Sequence, residues 1–89
     1  MIVEYDRSFE KSLGKIKNKA FLSKVEQIIS SFENARSLHA LKNISKLTGF
    51  KAYFRVKIGD YRLGFEKINE NTIRLIIIVH RKDIYKLFP

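Results

Sequence analysis

Eighty-nine residues, 45% of them apolar and 12% aromatic, suffice for one modest core, so a single domain over residues 1–89 is expected. The chain has no cysteine, which excludes disulfide and thiolate chemistry and gives no tie to an oxidising compartment. Eighteen Lys and Arg against nine Asp and Glu leave a net charge of +9, a balance that suits either a polyanionic partner or a merely solvated surface. The excess is concentrated from Lys46 onward, where ten basic residues stand against four acidic ones.

The opening stretch Met1-Ile2-Val3-Glu4-Tyr5-Asp6 does not read as a signal peptide, and its Ile2, Val3 and Tyr5 suggest a short strand. Asp6 can then cap a helix that carries Phe9, Leu13 and Ile16 along one side. A second helix is predicted from about Ala20 to Phe32, with a stripe of Leu22, Val25, Ile29 and Phe32 and a stop at Asn34. Ala35 to Phe50 reads as a connecting segment pinned by Leu38, Leu41 and Leu47, ending in a Thr48-Gly49 turn.

Beyond that turn the apolar period becomes two. Ala52–Ile58, Tyr61–Ile68 and Thr72–His80 are predicted as three strands in series, with a short helix over Lys82–Leu87. Gly59-Asp60 fits a two-residue turn of type II′, and Asn69-Glu70-Asn71 closes the second hairpin. The order β-α-α-β-β-β gives an α+β domain, with a helical hairpin packed on one face of a curved antiparallel sheet. No apolar run approaches the roughly 18 residues of a membrane helix. The expectation is therefore a cytoplasmic protein.

The strand from Ala52 to Ile58 sorts its side chains onto two faces. Ala52, Phe54, Val56 and Ile58 suit a helix-covered core, leaving Tyr53, Arg55 and Lys57 on the other side. A two-residue turn fixes the register, so Lys57 must oppose Arg62 and Arg55 must oppose Gly64. Like charges opposed across strands are unfavourable. Gathering them around a residue without a side chain suggests an anion-sized hollow, against the plainer reading of three solvated cations. A three-residue loop at Asn69–Asn71 would pair Glu66 with Arg74 and set His80 on the same face as Arg62, and a two-residue loop would reverse that parity. The segment His80-Arg81-Lys82-Asp83-Ile84-Tyr85 leaves the sheet at the Gly59-Asp60 end and could bring Arg81 and Tyr85 over the hollow. No cluster of Asp, His or Cys suggests a metal site, and no cofactor is expected.

Three segments resemble the RelE/ParE toxin superfamily, in its RelE-like branch: Lys46-Leu47-Thr48-Gly49, the run from Tyr53 to Leu63, and Val79-His80-Arg81-Lys82-Asp83-Ile84-Tyr85. Departures from the pattern are Val79, where the family usually has glycine, and Arg55, where some members carry lysine. The resemblance implies the toxin of a type II toxin–antitoxin pair, a metal-independent endoribonuclease that cuts messenger RNA in the ribosomal decoding site. It implies catalytic roles for Lys57, Arg62, Arg81 and Tyr85 and contacts to RNA phosphate from Arg55, Lys57 and Arg62; His80 and Lys82, beside them in the closing segment, are further candidates for such contacts. RNA can supply its own 2′-hydroxyl as nucleophile, so the protein needs proton transfer and anion stabilisation. Lysine and tyrosine side chains as types titrate near ~10 and histidine nearer to neutrality, so the proton-transfer group stays open among the three residue types on offer. Tyr85 could instead stack on a base.

The implied partners are ribosome and mRNA, and an acidic or amphipathic antitoxin that forms a hetero-oligomer with the chain. Two alternatives remain: a ParE-like gyrase poison with the same fold and no nuclease activity, and a non-catalytic RNA-binding module.

Overall fold

The computed structural model describes Met1–Pro89. Its elements are β1 (Ile2–Tyr5), α1 (Arg7–Gly14), α2 (Lys19–Asn34), a 3-10 turn (Leu38–Ala40), β2 (Ile44–Lys46), β3 (Tyr53–Ile58), β4 (Tyr61–Asn69), β5 (Thr72–His80) and α3 (Ile84–Leu87). α1 and α2 start where short polar side chains cap them. The Asp6 carboxylate accepts from the Ser8 backbone N–H at 3.0 Å, and Asn18 Oδ1 accepts from the Phe21 N–H at 3.0 Å.

The five strands form one sheet in the order β1-β5-β4-β3-β2. Two features correct the sequence-based layout. β1 runs parallel to β5, so the sheet is mixed rather than wholly antiparallel. The helical hairpin carries the chain from β1 at one edge to β2 at the other, and the meander β2–β5 then returns to lie beside β1. The connecting segment also contains a strand, because Ile44–Lys46 pairs with Phe54–Val56 of β3. Three residues carry too little alternation to be seen as a strand from sequence.

α1 and α2 cover one face of the sheet. Phe9, Val25 and Phe32 from the helices meet Val56, Ile58, Leu63, Phe65, Ile73, Leu75 and Ile78 from the strands in one buried cluster. Phe65 is fully buried, edge-on to Phe32 at 5.1 Å and stacked on Phe54 at 5.4 Å. The opposite face is not bare. Ile84 and Phe88 of the C-terminal segment are buried outside that cluster. Their i, i+4 spacing lays α3 across the strands.

β5 carries a bulge. Glu66 faces Arg74 and Phe65 faces Leu75, yet Gly64 faces Ile77, so Ile76 is an extra residue. α1 meets the disturbed backbone. Buried Ser12 donates through Oγ to the Phe9 carbonyl and accepts from the Ile78 N–H, both at 3.0 Å. The Ser8 hydroxyl lies within hydrogen-bonding distance of the Ile76 carbonyl and the Asp6 carboxylate.

Candidate functional site

The Gly59-Asp60 turn sets the geometry. Gly59 has φ +58° and Asp60 does not enter the left-handed region, as a type II′ turn requires. The resulting register pairs Ile58 with Tyr61, Lys57 with Arg62, and Arg55 with Gly64, as the two-residue loop demanded. Arg62 Nη1 donates to the carbonyls of Gly59 and Tyr61, at 2.8 Å each, which holds its guanidinium over the turn. Those two acceptors offset part of the repulsion from Lys57 across the ladder. The Arg81 backbone N–H donates to the Asp60 carbonyl at 2.8 Å, tying the closing segment to the same turn. Lys57 and Arg62 therefore face each other at one end of the sheet, and the backbone of Arg81 is held at that same end, with Lys82 next along the chain.

Tyr85 and Arg55 form the neighbouring group. The Arg55 guanidinium carbon lies 4.7 Å from the centroid of the Tyr85 ring, within cation–π range. Tyr85 is 76% exposed, so the ring's other surface is open. Neither ion pair of the chain involves these cations. Lys67–Glu70 lies at the β4–β5 turn, and Arg74–Glu4 is set on the β1 side of the sheet. Both ion pairs thus lie away from the Gly59-Asp60 turn, and the cations beside it form none.

Two expectations fail here. The hollow over Gly64 is occupied: a Cβ at that position would fall 2.6 Å from the Phe88 ring, and Phe88 is buried. Glycine is there to admit an aromatic plug rather than an anion, and the cations stand around a covered gap. His80, expected beside Arg62, instead opposes Tyr61. Tyr61 packs on Phe21 of α2 at 4.6 Å, which places both side chains on the helix-covered side. The loop has two residues, Glu70 and Asn71, and a bulge at Ile68 restores the Glu66–Arg74 pairing. The second bulge at Ile76 then reverses parity before His80 is reached. The His80 ring is fixed, since its Nδ1 accepts from the Lys82 backbone N–H at 3.2 Å.

Phe88 and Ile84, which seat Tyr85, were missed as parts of the site. The available signal was their i, i+4 spacing opposite a strand glycine. The run Ile76-Ile77-Ile78, which breaks the alternation, was the signal for the bulge.

Fold and site together define a class: a small basic α+β protein with cations outside any ion pair at one hairpin turn, beside a C-terminal aromatic segment. The family model for the ParE toxin of type II toxin–antitoxin systems, parDE, matches residues 3–85. Toxin RelE3 of Methanocaldococcus jannaschii is 36% identical in an alignment of 90 residues that covers both chains completely. A chain of the RelB–RelE antitoxin–toxin complex from Methanococcus jannaschii superposes with a TM-score of 0.80 at 31% identity, over 97% of this chain and 99% of that one. The archaeal RelE–RelB complex from Pyrococcus horikoshii shares the fold, with a TM-score of 0.71 at 19% identity over 90% and 93% of the two chains. The chain belongs to the RelE/ParE toxin superfamily, in its RelE-like branch, and is the toxin of a type II toxin–antitoxin system.

Proposed function

We propose that the chain is a ribosome-dependent endoribonuclease that stops translation by cutting mRNA, acting in the cytoplasm without a metal ion. The observation that carries the reading is that Lys57, Arg62 and Arg81 stand at the Gly59-Asp60 turn, with Tyr85 against Arg55 two residues back along β3, and that none of them forms an ion pair. In this scheme the 2′-oxygen bonds to phosphorus, the bond to the 5′-oxygen breaks, and one proton leaves the 2′-hydroxyl while another reaches the departing oxygen. Arg62 and Arg81 stabilise the charge that develops on the phosphorane. Arg62 is suited to this because its two carbonyl contacts fix it before substrate arrives. Lys57 or Tyr85 takes the 2′ proton, and Arg55 and Lys82 grip flanking phosphates. A fork such as Arg55 serves positioning better than proton transfer. His80, turned toward the helices, is left out of this set.

Free RNA is cut poorly in this scheme, because a site without a strong acid–base pair depends on the ribosome to align the substrate. The test is translation with purified components and mapping of mRNA ends. Wild-type protein should give codon-dependent cuts. Arg62→Ala, and the joint variant Arg81→Ala/Tyr85→Phe, should reduce cutting at least a hundredfold while circular dichroism stays unchanged. Full activity in these folded variants overturns the assignment. The family model's ParE description favours a second reading, poisoning of DNA gyrase. Cleaved DNA linked to gyrase, with intact mRNA, would establish it.

The partner proposed for this chain is an antitoxin with an acidic or amphipathic segment that covers the cationic end. Two of the similar solved structures are of RelE–RelB complexes, one of them described as an antitoxin–toxin complex. Growth arrest on expression alone, relieved by the neighbouring gene, is the expected signature.

A further inference from the structure

Beside the cationic group the sheet carries a cleft of about 390 Å³, within the size range of small-ligand pockets. One wall is the turn between β2 and β3, with Leu47, Thr48 and Phe50; the other is the C-terminal segment, with Tyr85 and Phe88; Arg55 lies between them. Phe50 is 46% exposed, so part of its ring stays open to the cleft. Its position is nonetheless fixed. The Phe50 N–H donates to the Leu47 carbonyl at 3.3 Å, and Gly49 has φ +84°, as a tight type II turn needs. The ring packs edge-on against Tyr53 at 5.8 Å, and Tyr53 packs edge-on against Phe88 at 5.4 Å. The cleft is thus a partly open slot edged by aromatic rings, with one guanidinium in its lining.

We infer that this cleft binds one unstacked purine base of the RNA strand, with Phe50 as a stacking surface, and so sets a nucleotide preference beside the scissile phosphate. The inference rests on the nuclease reading for its substrate and goes beyond it in assigning Phe50 and the Leu47–Phe50 turn. Aromatic planes accept any base, and the larger π-surface of a purine favours it over a pyrimidine. The cation inside favours the electron-rich edge of a base. The cations at the adjoining hairpin turn lead the phosphate backbone past the cleft, so the occupant is part of a polyanion and not a free apolar ligand.

The experiment uses the whole protein and a short 2′-O-methyl RNA, which has no free 2′-hydroxyl, carrying 2-aminopurine at one position. Binding is read by anisotropy and stacking by quenching of the 2-aminopurine. Wild-type protein should bind and quench. Phe50→Ala should bind with similar anisotropy at low salt and lose most of the quenching. Phe50→Tyr should keep it, and Phe50→Leu, apolar without a π-face, should not. On ribosomes, Phe50→Ala should lower cutting at the preferred purine by about five- to a hundredfold and flatten the preference at that one codon position. Codon-dependent cuts with an unchanged nucleotide profile in Phe50→Ala overturn the cleft assignment and leave the nuclease reading standing. Phe50-dependent quenching without any mRNA cuts does the reverse. Wild-type binding without quenching overturns the inference. So does a Phe50→Ala variant whose only defect is weakened antitoxin binding.

Discussion

Gly64 is the residue on which the site turns, for a reason different from the one its neighbours suggest. Its missing Cβ lets the Phe88 ring lie on β4, and Phe88 anchors the segment that presents Tyr85 to Arg55. Gly64→Ala puts a methyl 2.6 Å from that ring, so either Phe88 leaves or the strand shifts. Overpacking of this kind costs about 1–3 kcal/mol. Chemical denaturation should show the loss, and mRNA cutting should fall at least tenfold as Tyr85 loses its seat. Gly64→Ala combined with Phe88→Ala should cost less stability than the two single substitutions summed, while activity stays low. Full additivity of the two would show that the residues do not share this contact. At the other end of the chain, the Ser8 hydroxyl, and after it the Ser8 backbone N–H, hold the Asp6 carboxyl below the usual carboxylate range. The folded state thus favours the ionised form. Its contribution is complete above the ordinary value of 3.8 and is lost as pH falls through the lower folded value. Asp6→Asn, which keeps a capping oxygen, should flatten the acid limb of the denaturation midpoint plotted against pH. An identical limb in both proteins would dissociate Asp6 from acid stability.

Elements that repeat a simple period were legible, and those that depend on contacts distant in sequence were not. The register of β3 on β4 followed from two residues, because a two-residue turn leaves one pairing open to it. Tyr53, Arg55 and Lys57 were separable from Phe54, Val56 and Ile58 by alternation alone. The position of His80 needed two bulges, at Ile68 and Ile76, and each shifts every later side chain to the other face. The Ile76 bulge is held by α1, sixty-odd residues away in sequence, through Ser8 and Ser12. A serine facing a core reads as a flaw in the helix stripe until the strand beside it is known. Ser12→Ala should therefore cost more than its size implies, because it leaves the Ile78 N–H buried without an acceptor, a loss of about 1–3 kcal/mol. Ser31, whose hydroxyl donates to the Gln27 carbonyl on the exposed side of α2, is the control, with an expected change within about 0.5 kcal/mol. Equal effects of the two substitutions in urea denaturation would remove the bulge-holding role of α1.

Across the whole molecule, charge is arranged and not merely abundant. Glu4 and Glu70 pair with Arg74 and Lys67 away from the Gly59-Asp60 turn, while Arg55, Lys57, Arg62, Arg81 and Lys82 have no ion pair. A net charge of +9 would attract RNA to any surface, so affinity alone cannot separate a directed site from a diffuse one. Salt dependence can. Each phosphate neutralised on a single strand lowers the slope of log K against log salt by about 0.7, and five cations in contact give a slope of about −3.5. Lys57→Ala should remove about 0.7 of that slope. Lys67→Ala, which also deletes one positive charge but does so within an ion pair, should leave the slope unchanged. The antitoxin should flatten it wholly if the partner occupies the same cations, and competition between the two would then weaken as salt rises. Slopes that fall equally in both variants would mean that RNA sees only the net charge. In that case the clustering of cations at the Gly59-Asp60 turn would have no bearing on how the substrate is held.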